Sequence, residues 1–312
     1  MYVTALARAV RPVDHWLAHS AAVMRVGFAP IAWNNEDLKD LRPPVPYTTV
    51  LDEVQAAGYT ATELGDGFPR HPIQLRRALE ARGLALPSAW CGLALLGADT
   101  RDADHERTRQ LCGVLAEVGA SFVNLAHQGC PERRAWAGRA DDPGCPRLSK
   151  ADWDGLAERV DEGARIARTA GLEATFHPHV GTWIETASEV EALLGRLEEL
   201  KLCWDVGHAL YAGTDPVAFV RQHGERIAYL HLKDVDGRVL HGLRDDGAPF
   251  EEGIRRRVFT ELGRGLLDVR RLLESLQAIG YDDWLMVEQD STWLSPAESA
   301  RASRACLHAL GV

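Results

Sequence analysis

Short apolar, β-branched runs alternate with amphipathic stretches along the whole chain. The strand candidates are Arg25–Ala29, Ala61–Leu64, Ala85–Trp90, Phe122–Ala126, Glu173–His177, Leu202–Asp205, Ala228–Leu232 and Leu285–Glu288. Between them the 3.6-residue apolar period predicts helices over Thr48–Ala57, Pro72–Arg82, Asp104–Val118, Lys150–Ala170, Thr186–Leu197, Pro216–His223 and Asp268–Ile279. A last helix is predicted over Pro296–Leu310. Gly58, Gly83, Gly119, Gly171 and Gly280 each follow a helix and precede a strand, as left-handed C-terminal caps do.

Eight such units between residue 24 and the end of the chain, with no Pro/Gly-rich linker, predict one α/β domain, a closed (β/α)8 barrel. A doubly wound sheet would usually carry a glycine-rich phosphate loop after its first strand, and Ala29–Asp37 has none. Residues 1–23 read as an extension outside the barrel; charged residues from Arg8 to Asp14 interrupt any signal-like apolar run. Residues 235–265 read as a long polar loop after the seventh strand, where it would lie over the mouth as a lid.

The 312 residues are 46% hydrophobic and carry a formal charge of −10, which disfavours nucleic acid as a partner. No apolar run reaches the ~20 residues a membrane span needs. Six cysteines without a CxxC pair fit reduced thiols and a cytoplasmic location. Only four of the 35 basic residues are lysines, so Lys233, beside a strand end, stands out.

Barrel enzymes build their sites at the C-terminal ends of the strands. Here strands five to eight end in His177, Asp205, His231 and Glu288. A lone His or Asp there is commonly structural, or a helix cap. Four adjacent strand ends with nitrogen and oxygen donors predict one divalent cation, with Mn²⁺ or Co²⁺ favoured and Zn²⁺, Fe²⁺ or Mg²⁺ open. His179, two residues after His177, shares its strand face, and His208 follows Asp205. Trp33, Asn34, Glu63, Trp90 and His127 at the first four strand ends, and Glu261 in the long loop, are candidate substrate contacts.

At these residues the chain resembles the xylose-isomerase-like barrel superfamily of sugar isomerases and epimerases, and within it the inosose dehydratase branch. The resemblance runs from Met24 to the C-terminus through GFAPIAWNNEDL, AAGYTATELGDGFPR, FHPHVGTWIET, LCWDVGHALYAGTDP, RIAYLHLKDV, VFTELGRGLLD and GYDDWLMVEQD. It implies metal ligation by His177, Asp205, His231 and Glu288, with His177 where epimerases keep a carboxylate. It also implies a small polyol or keto-sugar substrate and leaves a homo-oligomer open. Two stretches depart from the branch. Asp66-Gly67-Phe68-Pro69 lacks the branch's lysine, and Leu262-Gly263-Arg264-Gly265 stands where Pro-Gly-Asp-Gly is usual. Both departures imply an altered substrate pocket.

A keto-polyol bound to a cation through its carbonyl and a neighbouring hydroxyl acquires an acidic α-C–H. Unequal groups such as His177 and Glu288 favour elimination of water over epimerisation, because a base and an acid are wanted rather than two equal bases. Glu288 is the first choice of base, with Glu63 and Glu261 in reserve. His179, His208 or a bound water would protonate the leaving hydroxyl, and Lys233 would face the developing enolate or a hydroxyl, or else pair with Asp234 or Glu288. The alternatives are a keto-sugar epimerase or isomerase and a lyase acting on 3-keto-glycosides.

Overall fold

The computed structural model describes residues 24–312; the extension read over 1–23 lies outside the described residues. Strands β1 (Arg25–Phe28), β2 (Trp90–Leu93), β3 (Phe122–His127), β4 (Glu173–Phe176), β5 (Lys201–Asp205) and β6 (Ile227–Leu232) follow in chain order. A short pair, β7 (Asp234–Val235) and β8 (Phe259–Thr260), precedes β9 (Trp284–Val287). All but the short pair join one parallel sheet in the order β1-β9-β6-β5-β4-β3-β2. Between β2 and β1 the ring closes through single parallel bridges, Gly27 to Ala61 and Ala61 to Ala85. The fold is therefore a (β/α)8 barrel whose second position is held by only a few backbone hydrogen bonds, such as Phe28 N–H to the Ala61 carbonyl at 3.0 Å.

The third strand is paired over Trp90–Leu93 rather than Ala85–Trp90, because Pro87 has no N–H to give to the ladder. Elsewhere the helices lie within a few residues of the periodic segments. Three of them start at capping boxes, Ser149 with Asp152, Thr186 with Glu189 and Ser295 with Glu298. The five helix-terminating glycines all take positive φ, between 63° and 87°. The six cysteines are free thiols, and no helix among the described residues is long and apolar enough to cross a membrane.

Alternation along the strands sorts the barrel interior into two layers. The lower layer is apolar, with Phe122, Cys203, Tyr229, Trp284 and Met286 in one cluster. Above it the next inward positions are polar, including Glu63, Asn124, Thr175, Asp205 and His231, all buried.

Residues 235–265 are not a polar loop. They hold two helices, Gly237–Asp246 and Phe250–Arg255, framed by antiparallel pairing of β7 with β8. Leu240, Leu243, Phe250, Ile254 and Val258 recur at helical spacing and pack into a cluster separate from the barrel core. Asp234 fastens the return of this segment. Its carboxylate accepts from the backbone N–H groups of Val235 (2.8 Å), Leu267 (2.9 Å), Gly263 (3.0 Å) and Gly265 (3.0 Å). Gly265 sits so close that a Cβ there would lie 2.3 Å from the Val235 carbonyl. Removing this acceptor in Asp234→Ala strands four donors and is expected to cost about 3 kcal/mol or more, read as a lower urea unfolding midpoint.

Candidate metal centre

The cavity at the barrel mouth has a volume of about 370 Å³ and reaches down to His177, His231, Glu63, Glu288 and Asp290. At its floor four strand ends converge. His177 Nε2 lies 3.2 Å from His231 Nδ1 and 3.5 Å from Asp205 Oδ2. His231 Nδ1 lies 2.8 Å from Glu288 Oε2 and 3.7 Å from Asp205 Oδ2. Donors bound about 2.1 Å from one cation stand roughly 3–3.5 Å from each other, so these separations suit a shared ion. Three donor sets overlap here: His177, Asp205 and His208; Glu63, His231 and Glu288; and His177, Cys203 and His231. No single set holds all four strand-end residues, but the pairwise distances link them in one chain.

One atom tests the fit. Asp205 Oδ1 caps the following helix by accepting from His208 N–H at 2.8 Å, while Oδ2 is buried with no hydrogen-bond partner among the described residues. A buried carboxylate oxygen without a hydrogen bond is costly unless a cation faces it; the Lys233 ammonium stands 3.3 Å away outside hydrogen-bond geometry, and a metal ion among these donors would complete the pairing. Burial alone would raise the Asp205 carboxyl; Lys233 and the surrounding imidazoles outweigh it and hold it well below the usual carboxylate range. Burial lowers His177, which keeps its imidazole neutral as a ligand must be.

His231 is oriented by a second carboxylate. Its Nε2 faces Glu63 Oε1 at 3.1 Å, and a carboxylate accepts only, so Nε2 carries the proton and Nδ1 points to the donor cluster. Burial opposes charge on His231, but Glu288 and Glu63 on either side prevail and raise its pKa well above the ordinary value.

Lys233 does not face substrate. Its side chain is fully buried, with Nζ 2.6 Å from Glu288 Oε1, 2.8 Å from Asp290 Oδ1 and 3.3 Å from Asp205 Oδ2. Its stem lies flat on Gly207, where a Cβ would come within 2.6 Å of it. These carboxylates keep the ammonium charged despite burial. His208 lies behind the floor. Its Nε2 is 3.4 Å from Lys233 Nζ, which can only donate, so Nε2 accepts and has no proton for a hydroxyl. Glu288 is a weaker base than expected. Both oxygens are engaged, and Lys233 and His231 outweigh burial to hold its carboxyl low.

Three candidate substrate contacts face the cavity as expected: Glu63, Trp90 and His127. Trp90 is 36% exposed and stands edge-on to His177 at 4.9 Å. Asn34 reaches the wall, but its amide is tied to Val45 and the Asp66 carbonyl. Two contacts are corrected. Trp33 is core: a 3-10 turn over Pro30–Ala32 rotates it inward, against Phe28 and onto Glu53. Glu261 is bound to Thr292 at 2.8 Å and does not line the cavity. Neither Asp66-Gly67 nor Arg264 lines it either. The charged lining residues missed include Asp290, Arg134 and Asp37. Asp290 shares Lys233 with Glu288, and Arg134 bridges Asp37 (3.6 Å) and Glu251 across the rim.

Two imidazoles face the cavity with opposite polarity. His179 Nδ1 donates to the Val180 carbonyl at 2.7 Å, leaving Nε2 as an acceptor; burial lowers its pKa to about 3. Its expected role as an acid is therefore replaced. His127 Nδ1 accepts from Gly129 N–H at 3.1 Å, which puts the proton on Nε2; burial lowers its pKa to about 4, against an opposing hydrogen bond to the Ala94 backbone.

The profile of the xylose isomerase-like TIM barrel family matches residues 51–310. The chain belongs to this family. Within reach of it, the inosose dehydratase of Geobacillus thermodenitrificans is 30% identical over 288 residues, covering 90% of this chain and 95% of that one. The rhizopine catabolism protein MocC of Rhizobium meliloti is 33% identical, covering 91% and 87%. Among solved structures, the 3-keto-D-glucoside 4-epimerase YcjR of E. coli superposes with a TM-score of 0.68 at 16% identity, covering 92% and 99%. The probable 3-DHS dehydratase AsbF of Bacillus anthracis gives 0.69 at 14%, covering 91% and 99%. At such identities these two show the shared family fold.

A cation bound at Nδ1 must displace the proton that metal-free His231 holds there. Protons therefore compete, and affinity is expected to fall about tenfold per pH unit as the pH drops through neutrality. Calorimetric titration with Mn²⁺ in buffers of different ionisation enthalpy should register about one proton released per ion; a pH-independent affinity would contradict the assignment.

Proposed function

We propose that this family member is a divalent-metal-dependent lyase that removes water from a keto-inositol or related keto-polyol. The observation that carries the reading is the convergence of His177, Asp205, His231 and Glu288 beneath a small polar cavity, at separations that suit one shared ion. The inosose dehydratases that align over nine-tenths of the chain supply the substrate class. These four residues would hold the ion, and Mn²⁺ or Co²⁺ suits two imidazoles with two carboxylates. Bound there, it would polarise the substrate carbonyl and offset the charge that develops as the α-C–H breaks.

The chain's own groups divide the remaining work. Trp90 offers an apolar edge to the C–H face of a polyol ring. His179 Nε2 accepts from a substrate hydroxyl, which helps to fix the face presented. Glu63 uses Oε1 for His231 and Asn124 and keeps Oε2 free, which suits it to take the α-proton better than the doubly engaged Glu288. Asp290 faces the same cavity from two residues beyond Glu288 and is placed to return a proton to the leaving hydroxyl. Phe250, from the 237–255 helices, adds an apolar wall beside His179.

Incubation with 2-keto-myo-inositol followed by NMR should show an unsaturated diketone. Solvent deuterium in an otherwise intact skeleton would instead mark an epimerase and overturn the lyase assignment. His231→Ala is expected to lose both the bound ion and turnover. Asp290→Asn should keep the ion and slow dehydration by roughly 10²–10⁴.

A further inference from the structure

A line of buried polar side chains crosses the barrel interior from the fifth position to the seventh. Thr175 Oγ1, in β4, donates to Asn124 Oδ1, in β3, at 2.7 Å. Asn124 Nδ2 donates to Glu63 Oε1 at 3.2 Å, and the same oxygen accepts from His231 Nε2 at 3.1 Å. Thr175 and Asn124 are fully buried, and neither lines the cavity. Strands of this kind normally carry apolar side chains at such depth, so two adjacent polar residues need an account.

The direction of every bond in the line is forced. Glu63 carboxylate has acceptors only, so both Asn124 and His231 must donate to it. Asn124 must then turn its carbonyl oxygen to Thr175, whose hydroxyl has to donate. At the far end, His231 keeps its proton on Nε2 toward Glu63, and Nδ1, the atom that meets His177, Asp205 and Glu288, is the one a cation would take. Glu63 needs the help. Its strand joins the sheet through isolated bridges at Ala61, so the backbone alone fixes that carboxylate less firmly than the others.

We infer that Asn124, locked by Thr175, is a positioning residue that aims Glu63 and thereby presents His231 Nδ1 to the cation. The inference rests on the metal-dependent reading above, and goes beyond it by naming two residues that touch neither ion nor substrate. Without the Thr175 hydroxyl the Asn124 amide is free to turn over, which would set its oxygen against Glu63. Replacing Asn124 by Asp keeps the shape and removes the donor outright.

The test is Co²⁺ binding to the purified protein, with thermal unfolding recorded in parallel. Asn124→Asp and Thr175→Val are expected to raise the Kd for Co²⁺ by roughly 10–100-fold and to shift the visible absorption of the bound ion. Thr175→Ser, which keeps the hydroxyl, should return both to parental values. Folded variants with parental affinity and parental Co²⁺ spectrum would overturn the inference while leaving the metal-dependent reading intact. So would a lower melting temperature with no change at the ion. If Asn124→Asp does not fold, Thr175→Val decides alone. Failure of the parent protein itself to bind Co²⁺ would remove the metal-dependent reading, and this inference with it.

Discussion

The arrangement at the barrel floor depends on one buried ammonium. Asp205, Glu288 and Asp290 lie together out of water, and three such carboxylates would repel one another by several kcal/mol in a medium this poorly screened. Lys233 Nζ stands within 3.3 Å of all three. It fixes Glu288 through Oε1 and so turns Oε2 toward His231. Burial and Glu288 raise the Asp290 carboxyl, so it is the one that holds a proton; with Glu63 counted, three ionised carboxylates then stand against one lysine, a deficit of two charges that a divalent ion would cancel. Lysine and metal would therefore be complementary rather than competing: the lysine makes the cluster foldable, and an ion would complete it.

That logic reaches into the backbone. Lys233 can lie flat only because Gly207 offers no Cβ, and Gly207 opens the helix that Asp205 caps with its other oxygen. The cap turns the chain from strand to helix immediately after Asp205, which draws His208 behind the floor. One carboxylate thus ends a strand, starts a helix and turns its second oxygen to the donor cluster. Division of labour between two oxygens of one carboxyl recurs in Glu63 and Glu288, and it gives the site its rigidity.

Much of this was legible in the chain. The four strand ends with nitrogen and oxygen donors could be read because β alternation and barrel topology act together over short distances. Trp33 and Glu261 were misplaced because strand-end counting assumes the chain leaves the barrel directly. A 3-10 turn intervenes before Trp33, and β8 with its turn carries Glu261 away. The helices of 237–255 were hidden by glycines and arginines, although the spacing of Leu240, Leu243, Phe250 and Ile254 carried the signal. Asn124 and Thr175 sit mid-strand, where polar residues read as noise until partners from three other strands are known. The pairings of Lys233 with Asp290 and of Arg134 with Glu251 span 57 and 117 residues, beyond any local pattern.

The 237–255 helices keep a hydrophobic nucleus of their own, built on Phe250, Phe259, Leu243 and Tyr211 and distinct from that of the barrel. Phe250 alone among these also reaches the cavity wall. Phe259 also packs against Lys233 Nζ at 4.7 Å and against His208, so the cap supports the floor as well as covering its own nucleus. A substitution at Phe250 or Phe259 would thus be felt twice, once in the packing of the cap and once at the buried charges beneath it.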